Sequence, residues 1–188
     1  MNTAAWWPLR RAREVVMSGG VIAYPTEAVF GLGCDPLEPA AVERILALKR
    51  RDAAKGLILI ASRLDQLLPF IAPLDAAQRQ QLETGWPGPI TWVVPAAPFV
   101  PAALTGGRRT LAVRVSAHPR VRELCTLCDM ALISTSANRT GRPSARSALQ
   151  VRNSLGAEVD YIVPGAVGGR RRPTEIRDLA SGKVLRAG

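Results

Sequence analysis

The chain has 188 residues, 47% of them hydrophobic, enough for one domain of ordinary size with a buried core, which excludes general disorder. Its 16 glycines and 15 prolines point to many turns and short elements. With 25 Lys and Arg against 15 Asp and Glu the net charge is +10, a balance that favours anionic partners; only Lys49, Lys55 and Lys183 are lysines, and arginine spread over a solvated surface would give the same sum.

In chain order, Leu9, Ala12, Val15 and Val16 mark an amphipathic helix over 9–17, closed by Gly19 and Gly20. A strand follows at 21–24, stopped by Pro25, so that Thr26 and Glu27 sit in the loop at its end. Val42, Ile45, Leu46 and Lys49 form a helical stripe whose last member is a cation. A strand is expected at 57–61, a helix through Leu64, Leu67, Leu68 and Ile71 that ends at Pro73, and another helix at 76–82. Strands are expected at 90–94 and 110–116, the second alternating Leu111, Val113, Val115 with Thr110, Ala112, Arg114. Then come a helix at 119–128 with Pro119 in its first turn, a strand at 131–135, a helix at 144–155, and about three short strands between 161 and 186. Helices alternate with strands before a strand-rich tail, so residues 1–188 read as a single α/β domain (mixed α+β): an open, twisted, mixed β-sheet with helices on its faces.

Several chemistries are excluded. No GxxxxGK[ST] loop is present, and Gly31-Leu32-Gly33 lacks the third glycine of a dinucleotide fingerprint. His118 is the only histidine, so a zinc site built on Cys125 and Cys128 lacks ligands and no metal site is expected. A Ser-His-Asp arrangement would have to recruit that same histidine, which its setting between Ala117 and Pro119 reads as a turn or helix cap. Three cysteines make no disulfide framework, and charges at 10, 11, 13 and 14 break any apolar leader, so a reducing, cytoplasmic setting is expected. The longest uncharged run, 84–107, contains five prolines and cannot span a membrane as a helix.

Anion binding is what the residues support. Lys49 continues an apolar stripe, so its ammonium is aimed along the face that packs on the sheet, with Arg51 just past the helix end and Lys55 before a strand; opposing the helix dipole is the alternative use of such cations. Ser134, Ser136 and Asn138 end an apolar strand, where open α/β sheets bind ligands, and share one face if the segment stays extended; the same residues could cap the next helix. Arg114 and Thr110 share the polar face of their strand, turned either to solvent or to a cavity.

Tyr24-Pro25-Thr26-Glu27-Ala28-Val29-Phe30-Gly31-Leu32-Gly33, Lys49-Arg50-Arg51 with Lys55-Gly56, and Trp86-Pro87-Gly88-Pro89-Ile90-Thr91 follow one another along the chain. Next come Leu111-Ala112-Val113-Arg114-Val115 with His118-Pro119, Ser134-Thr135-Ser136-Ala137-Asn138, Thr174-Glu175-Ile176-Arg177-Asp178 and Leu185-Arg186-Ala187-Gly188. In order and spacing this set resembles the YrdC-like family over nearly the whole chain, in its short single-domain form. The resemblance implies a fold with a concave basic cavity and an activity: L-threonine, bicarbonate or CO2 and ATP, carried with Mg2+, give threonylcarbamoyl-AMP and pyrophosphate. That is the first step towards N6-threonylcarbamoyladenosine at position 37 of tRNA.

By the same resemblance Lys49, Arg51, Ser136 and Asn138 are the catalytic KxR and SxN elements that hold the nucleotide, with Thr110, Ser134 and Arg186 adding ATP contacts. Thr26, Arg114 and Thr174 would bind threonine, Arg114 pairing with its carboxylate. Asp52 stands where the family has proline after KxR, and Phe30 where it has tyrosine. Handover of the product to a threonylcarbamoyl-transfer complex is a further expectation. Two other readings of such a domain are a non-catalytic RNA- or tRNA-binding protein, for which Arg170, Arg171 and Arg172 are the candidate contacts, and the carbamoyl-transfer domain of hydrogenase-maturation proteins, whose Cys clusters this chain lacks.

Overall fold

The computed structural model describes residues 7–188; the first six residues of the stretch in which no leader was expected lie outside the described residues. Helix α1 (Trp7–Met17) buries Leu9, Ala12, Val15 and Val16, the anticipated stripe. Strands β1 (Ile22–Pro25) and β2 (Phe30–Gly33) form an antiparallel hairpin. Pro25 does not stop the first strand but is its last member, opposite Phe30. The second strand is absent from the sequence reading because two glycines dilute its apolar signal. Gly33 is required there, since a Cβ would stand 2.5 Å from the Ile133 carbonyl oxygen and 2.7 Å from the Tyr24 ring.

Helix α2 (Pro39–Lys49) begins on the Glu38 cap and ends sharply. Arg50 takes the left-handed conformation (φ 49°), and the amides of Arg50 and Arg51 fold back onto the Ala47 and Leu46 carbonyls. After β3 (Ile58–Ala61) the helix expected at 64–71 is instead two 3₁₀ turns, Leu64–Gln66 and Leu68–Phe70. Pro69 lacks the amide a continuous helix needs and disfavours helical geometry at Leu68. Helix α3 (Ala76–Gly85) opens on an Asp75–Gln78 capping box. Next come β4 (Ile90–Pro95), the short helix α4 (Ala102–Thr105), β5 (Thr110–Val115), α5 (Pro119–Cys128) and β6 (Leu132–Ser136). Helix α6 (Ala148–Leu155) starts four residues later than 144, because the Ala145 backbone is held extended between the Phe30 amide and the Ala137 carbonyl. The tail forms β7 (Tyr161–Ile162), β8 (Glu175–Asp178) and β9 (Val184–Arg186), three strands as expected.

The described strands form one mixed sheet in the order β7-β1-β2-β6-β3-β5-β4-β8-β9. A larger core on one face gathers Ile45, Leu82, Leu104 and Val151 from α2, α3, α4 and α6. On the other face α1 and α5 pack over Ile22, Tyr24, Ile60 and Leu132, each fully buried aliphatic side chain contributing about 1.5–3 kcal/mol. This second layer is incomplete. Ser134 and Ser136 point the same way as Leu132, Ile58 the same way as Ile60, and Arg114 lies opposite Ile60 in the register. The uncovered part of the face is where polar side chains begin.

Candidate functional site

The uncovered face is the floor of a cavity lined by Thr26, Gly31, Arg51, Ile58, Arg114, Ser134, Ser136, Ser144, Pro173, Thr174 and Arg186 among others. Three of these are cations brought from three places: the end of α2, the middle of β5 and the last strand. At Arg114 the polar face of β5 therefore meets a cavity.

Behind the floor, Lys49 is 2% exposed. Its ammonium donates to the Ser136 carbonyl, to the Asn138 carbonyl at 2.8 Å and to Asn138 Oδ1 at 3.4 Å. Ser136 Oγ donates to Asn138 Oδ1 at 2.6 Å, and Asn138 Nδ2 donates to the Arg142 carbonyl at 2.6 Å. The segment leaves the extended conformation after Ser136, so Asn138 turns back to brace Ser136 and does not continue the strand face. Lys49 and Asn138 thus shape the wall that Ser134, Ser136 and Ser144 present. Burial and the nearby Arg51 charge bring the Lys49 ammonium down to about 8.

Arg51 donates from Nε and Nη2 to the Gly56 carbonyl, at 3.3 and 3.0 Å, which holds the loop before β3 and leaves its remaining nitrogen free of protein partners. Burial lowers its value. Asp52, the departure after KxR, caps the 3₁₀ turn Ala53–Lys55 by accepting from the Ala54 amide at 2.9 Å. Arg186 Nη2 donates to the Thr174 carbonyl at 2.8 Å. Partial burial and the Arg114 and Arg51 charges lower its value too. Phe30, the other departure, is fully buried in the core.

Arg114 is 5% exposed. Its Nη1 donates to Thr174 Oγ1 at 2.6 Å, and Nη2 stands 3.2 Å from Glu27 Oε2. Thr174 Oγ1 is also 3.4 Å from Thr91 Oγ1. Thr26 Oγ1 donates to the Val29 carbonyl, closing the hairpin loop. Glu27, Ser116 and Thr91 received no role from the sequence: nothing in local spacing pairs a loop carboxylate with groups 89 residues away.

Of the residues expected in the site, Thr26, Arg51, Arg114, Ser134, Ser136, Thr174 and Arg186 meet on the cavity wall. Lys49 and Asn138 stand directly behind it. Thr110 lies outside the lining, on the same sheet face as Ser136 but two strands away, ~10 Å at ordinary strand spacing. Lys55 is exposed. His118 caps α5 without a side-chain cap bond, and its Nε2 is 3.2 Å from the Ala166 carbonyl oxygen. Cys125 and Cys128 are buried one turn apart in α5. Among the described residues no group of three or more His, Cys, Asp or Glu is gathered in a metal-holding arrangement, and no helix is long and apolar enough to cross a membrane.

A mixed sheet with one half-covered face, floored by hydroxyls and ringed by cations, defines a small-molecule domain that receives anions. The comparisons make this specific. A family model for Sua5, YciO and YrdC, described as "Telomere recombination", matches residues 14–188, and the chain belongs to that family. Threonylcarbamoyl-AMP synthase of Alkalilimnicola ehrlichii is 56% identical over 189 aligned positions, covering 99% of this chain and 98% of the relative. The enzyme of that name from Nitrosococcus oceani is 55% identical over 180, covering 96% and 97%. Among solved structures, P. abyssi Sua5 complexed with L-threonine superposes with a TM-score of 0.89 at 32% identity over 96% of this chain; the chain spans 54% of that protein's length.

Proposed function

We infer that the cavity joins L-threonine, bicarbonate or CO2 and ATP to give threonylcarbamoyl-AMP and pyrophosphate, the first step towards N6-threonylcarbamoyladenosine in tRNA. The chain is a nucleotidyltransferase. The observation that carries this reading is the division of the cavity between one carboxylate-paired arginine, Arg114, and cations with no carboxylate partner, Arg51 and Arg186, in a chain 55–56% identical to synthases along nearly its whole length.

In this reading Arg114, Thr174 and Thr26 hold threonine, the guanidinium taking its carboxylate. Supporting it, Arg114, Thr174 and Thr26 share the cavity wall, and a guanidinium is the fork that pairs a ligand carboxylate. Arg51, Arg186, Ser134 and Ser136 hold the phosphates and ribose of ATP, Lys49 and Asn138 fix the wall that meets them, and Thr110 contacts the nucleotide further along the same sheet face. The free threonine amine adds to CO2 with loss of its proton, or to bicarbonate with loss of water, to form a carbamate, whose oxygen attacks the α-phosphorus of ATP as pyrophosphate leaves. The side chains contribute position and charge, which suffices where the substrates carry nucleophile and leaving group. Mg2+ enters on the phosphate oxygens of ATP, the hard ligands it prefers.

The product passes to a threonylcarbamoyl-transfer complex in the cytoplasm. Arg170, Arg171 and Arg172 are exposed just before Pro173 on the cavity wall, where RNA phosphates would meet them. The test is pyrophosphate release with ATP, Mg2+, bicarbonate and each amino acid in turn. Release that depends on threonine, and falls at least about a hundredfold in Arg114→Ala, is expected. Salt-sensitive tRNA binding without release would establish the RNA-binding alternative instead.

A further inference from the structure

Arg114 reaches the cavity from a dry setting, and its partners, Thr174 on the cavity wall and Glu27 behind it, set where its nitrogens lie. Nη1 donates to Thr174 Oγ1 and Nη2 stands at ion-pair distance from Glu27 Oε2, while Arg114 Nε and Glu27 Oε2 are both buried without a hydrogen-bond partner. Glu27 is 7% exposed and does not line the cavity. It is itself held twice. Ser116 Oγ, fully buried, donates to Glu27 Oε1 at 2.6 Å and accepts the His118 amide at 3.1 Å. The Thr26 and Glu27 carbonyls accept the Gly168 and Arg170 amides at 2.9 and 3.1 Å, and a Cβ on Gly168 would stand 3.1 Å from the Glu27 Cα. Loop, carboxylate and guanidinium are thus linked in series from the start of α5 to the cavity wall.

We propose that Glu27, clamped by Ser116, is a positioning residue for the amino-acid substrate: it fixes the plane of the Arg114 guanidinium where that side chain lines the cavity, so that it meets the substrate carboxylate. A buried arginine left without this carboxylate would turn towards other acceptors, and the fork that a carboxylate needs would be lost. The groups assigned to ATP, Arg51, Arg186 and the serine wall, make no hydrogen bond or ion pair with Glu27 or Ser116. The inference rests on the reading of the cavity given above.

The test is steady-state pyrophosphate release by the whole chain, with threonine and ATP varied separately, alongside threonine binding by calorimetry. Glu27→Gln keeps the size of the side chain and removes its charge. It raises KM and Kd for threonine about tenfold or more, with KM for ATP within about twofold of wild type. Ser116→Ala leaves both charges and frees Glu27 Oε1; it raises the threonine KM in the same direction by a smaller factor, again sparing ATP. A threonine KM in Glu27→Gln that is unchanged or lower overturns the proposal, the lower value meaning that Glu27 competes with substrate for Arg114. Equal rises for both substrates also overturn it, as a general structural effect. If Glu27→Gln fails to give a cooperative thermal transition, Ser116→Ala decides alone, an unchanged threonine KM overturning the proposal. Absence of threonine-dependent release by the wild type would instead overturn the reading of the cavity.

Discussion

Lys49 offers the sharpest test of how the site is built. Its ammonium is buried against carbonyl oxygens, with no carboxylate partner among the described residues, and the folded chain lowers its value from 10.5 to about 8. Between those two pH values the unfolded chain keeps the proton that the folded chain has released. The unfolded state then binds more protons, so stability rises with pH across the window. Below about 8 both states are charged and the full cost of burying the ammonium is present; above 10.5 both are neutral and it is gone. Integrating the linkage for these two values gives a gain of about 2 kcal/mol between pH 7 and 9.5. Lys49→Met removes the titrating group and also the donor to three oxygens, but that second loss does not depend on pH. Urea unfolding followed by the fluorescence of buried Trp92 should therefore show the wild type gaining about 2 kcal/mol on the variant over this range. A difference that stays constant within about 0.5 kcal/mol from pH 7 to 9.5 would refute the buried, unpaired ammonium.

Two further outcomes follow from the same physics. Burial pushes the thiols of Cys34 and Cys128 up to about 12 and about 11, and that of Cys125 upward as well, so native protein should not react with an aromatic disulfide reagent at pH 8 and all three thiols should react in denaturant; prompt reaction of one thiol in native protein would contradict this. Asp160 accepts the Val21 amide at 2.7 Å and both Arg44 Nη atoms at 2.6 and 2.8 Å, and the Arg44 hydrogen bonds hold its carboxyl below the ordinary value. That stability is present above about pH 4 and is lost as pH falls through the folded value. Asp160→Asn should cost roughly 1 kcal/mol at pH 7, reduced by the partial exposure of both partners, and the gap to wild type should narrow as pH falls below about 4. A gap that did not change with pH over that range would assign the effect to packing.

What could be read in the sequence depended on whether the signal was local. The stripe ending in Lys49 foretold a buried cation because helical periodicity is carried by neighbours in the chain. The Ser134–Ser136 face was legible for the same reason, from strand alternation. Asn138 was placed on that face only by assuming an extended chain, and the turn after Ser136 breaks the assumption. The helix expected through Leu64 and Ile71 failed because its stripe was weighed without Pro69. Strand β2 was hidden by glycines that exist to let Ile133 and Tyr24 approach, a tertiary requirement with no local trace. The Glu27–Arg114–Thr174 series joins a hairpin loop, a central strand and the tail, and only the sheet register brings them together.

The charge surplus acquires a structure of its own once these contacts are known. Lys49, Arg51 and Arg186 are in no ion pair among the described residues, and each has its value lowered, by burial and, for Lys49 and Arg186, by neighbouring cations. Arg114 alone has a carboxylate beside it. A zwitterionic amino acid brings no net charge, so a guanidinium already neutralised by Glu27 can take its carboxylate without leaving the cavity charged. A triphosphate brings several negative charges, and cations held without partners are what such a ligand relieves. In the reading proposed above, the cavity is therefore differentiated by charge before either substrate arrives: the paired arginine takes the amino acid, and the unpaired cations on the same wall draw the nucleotide.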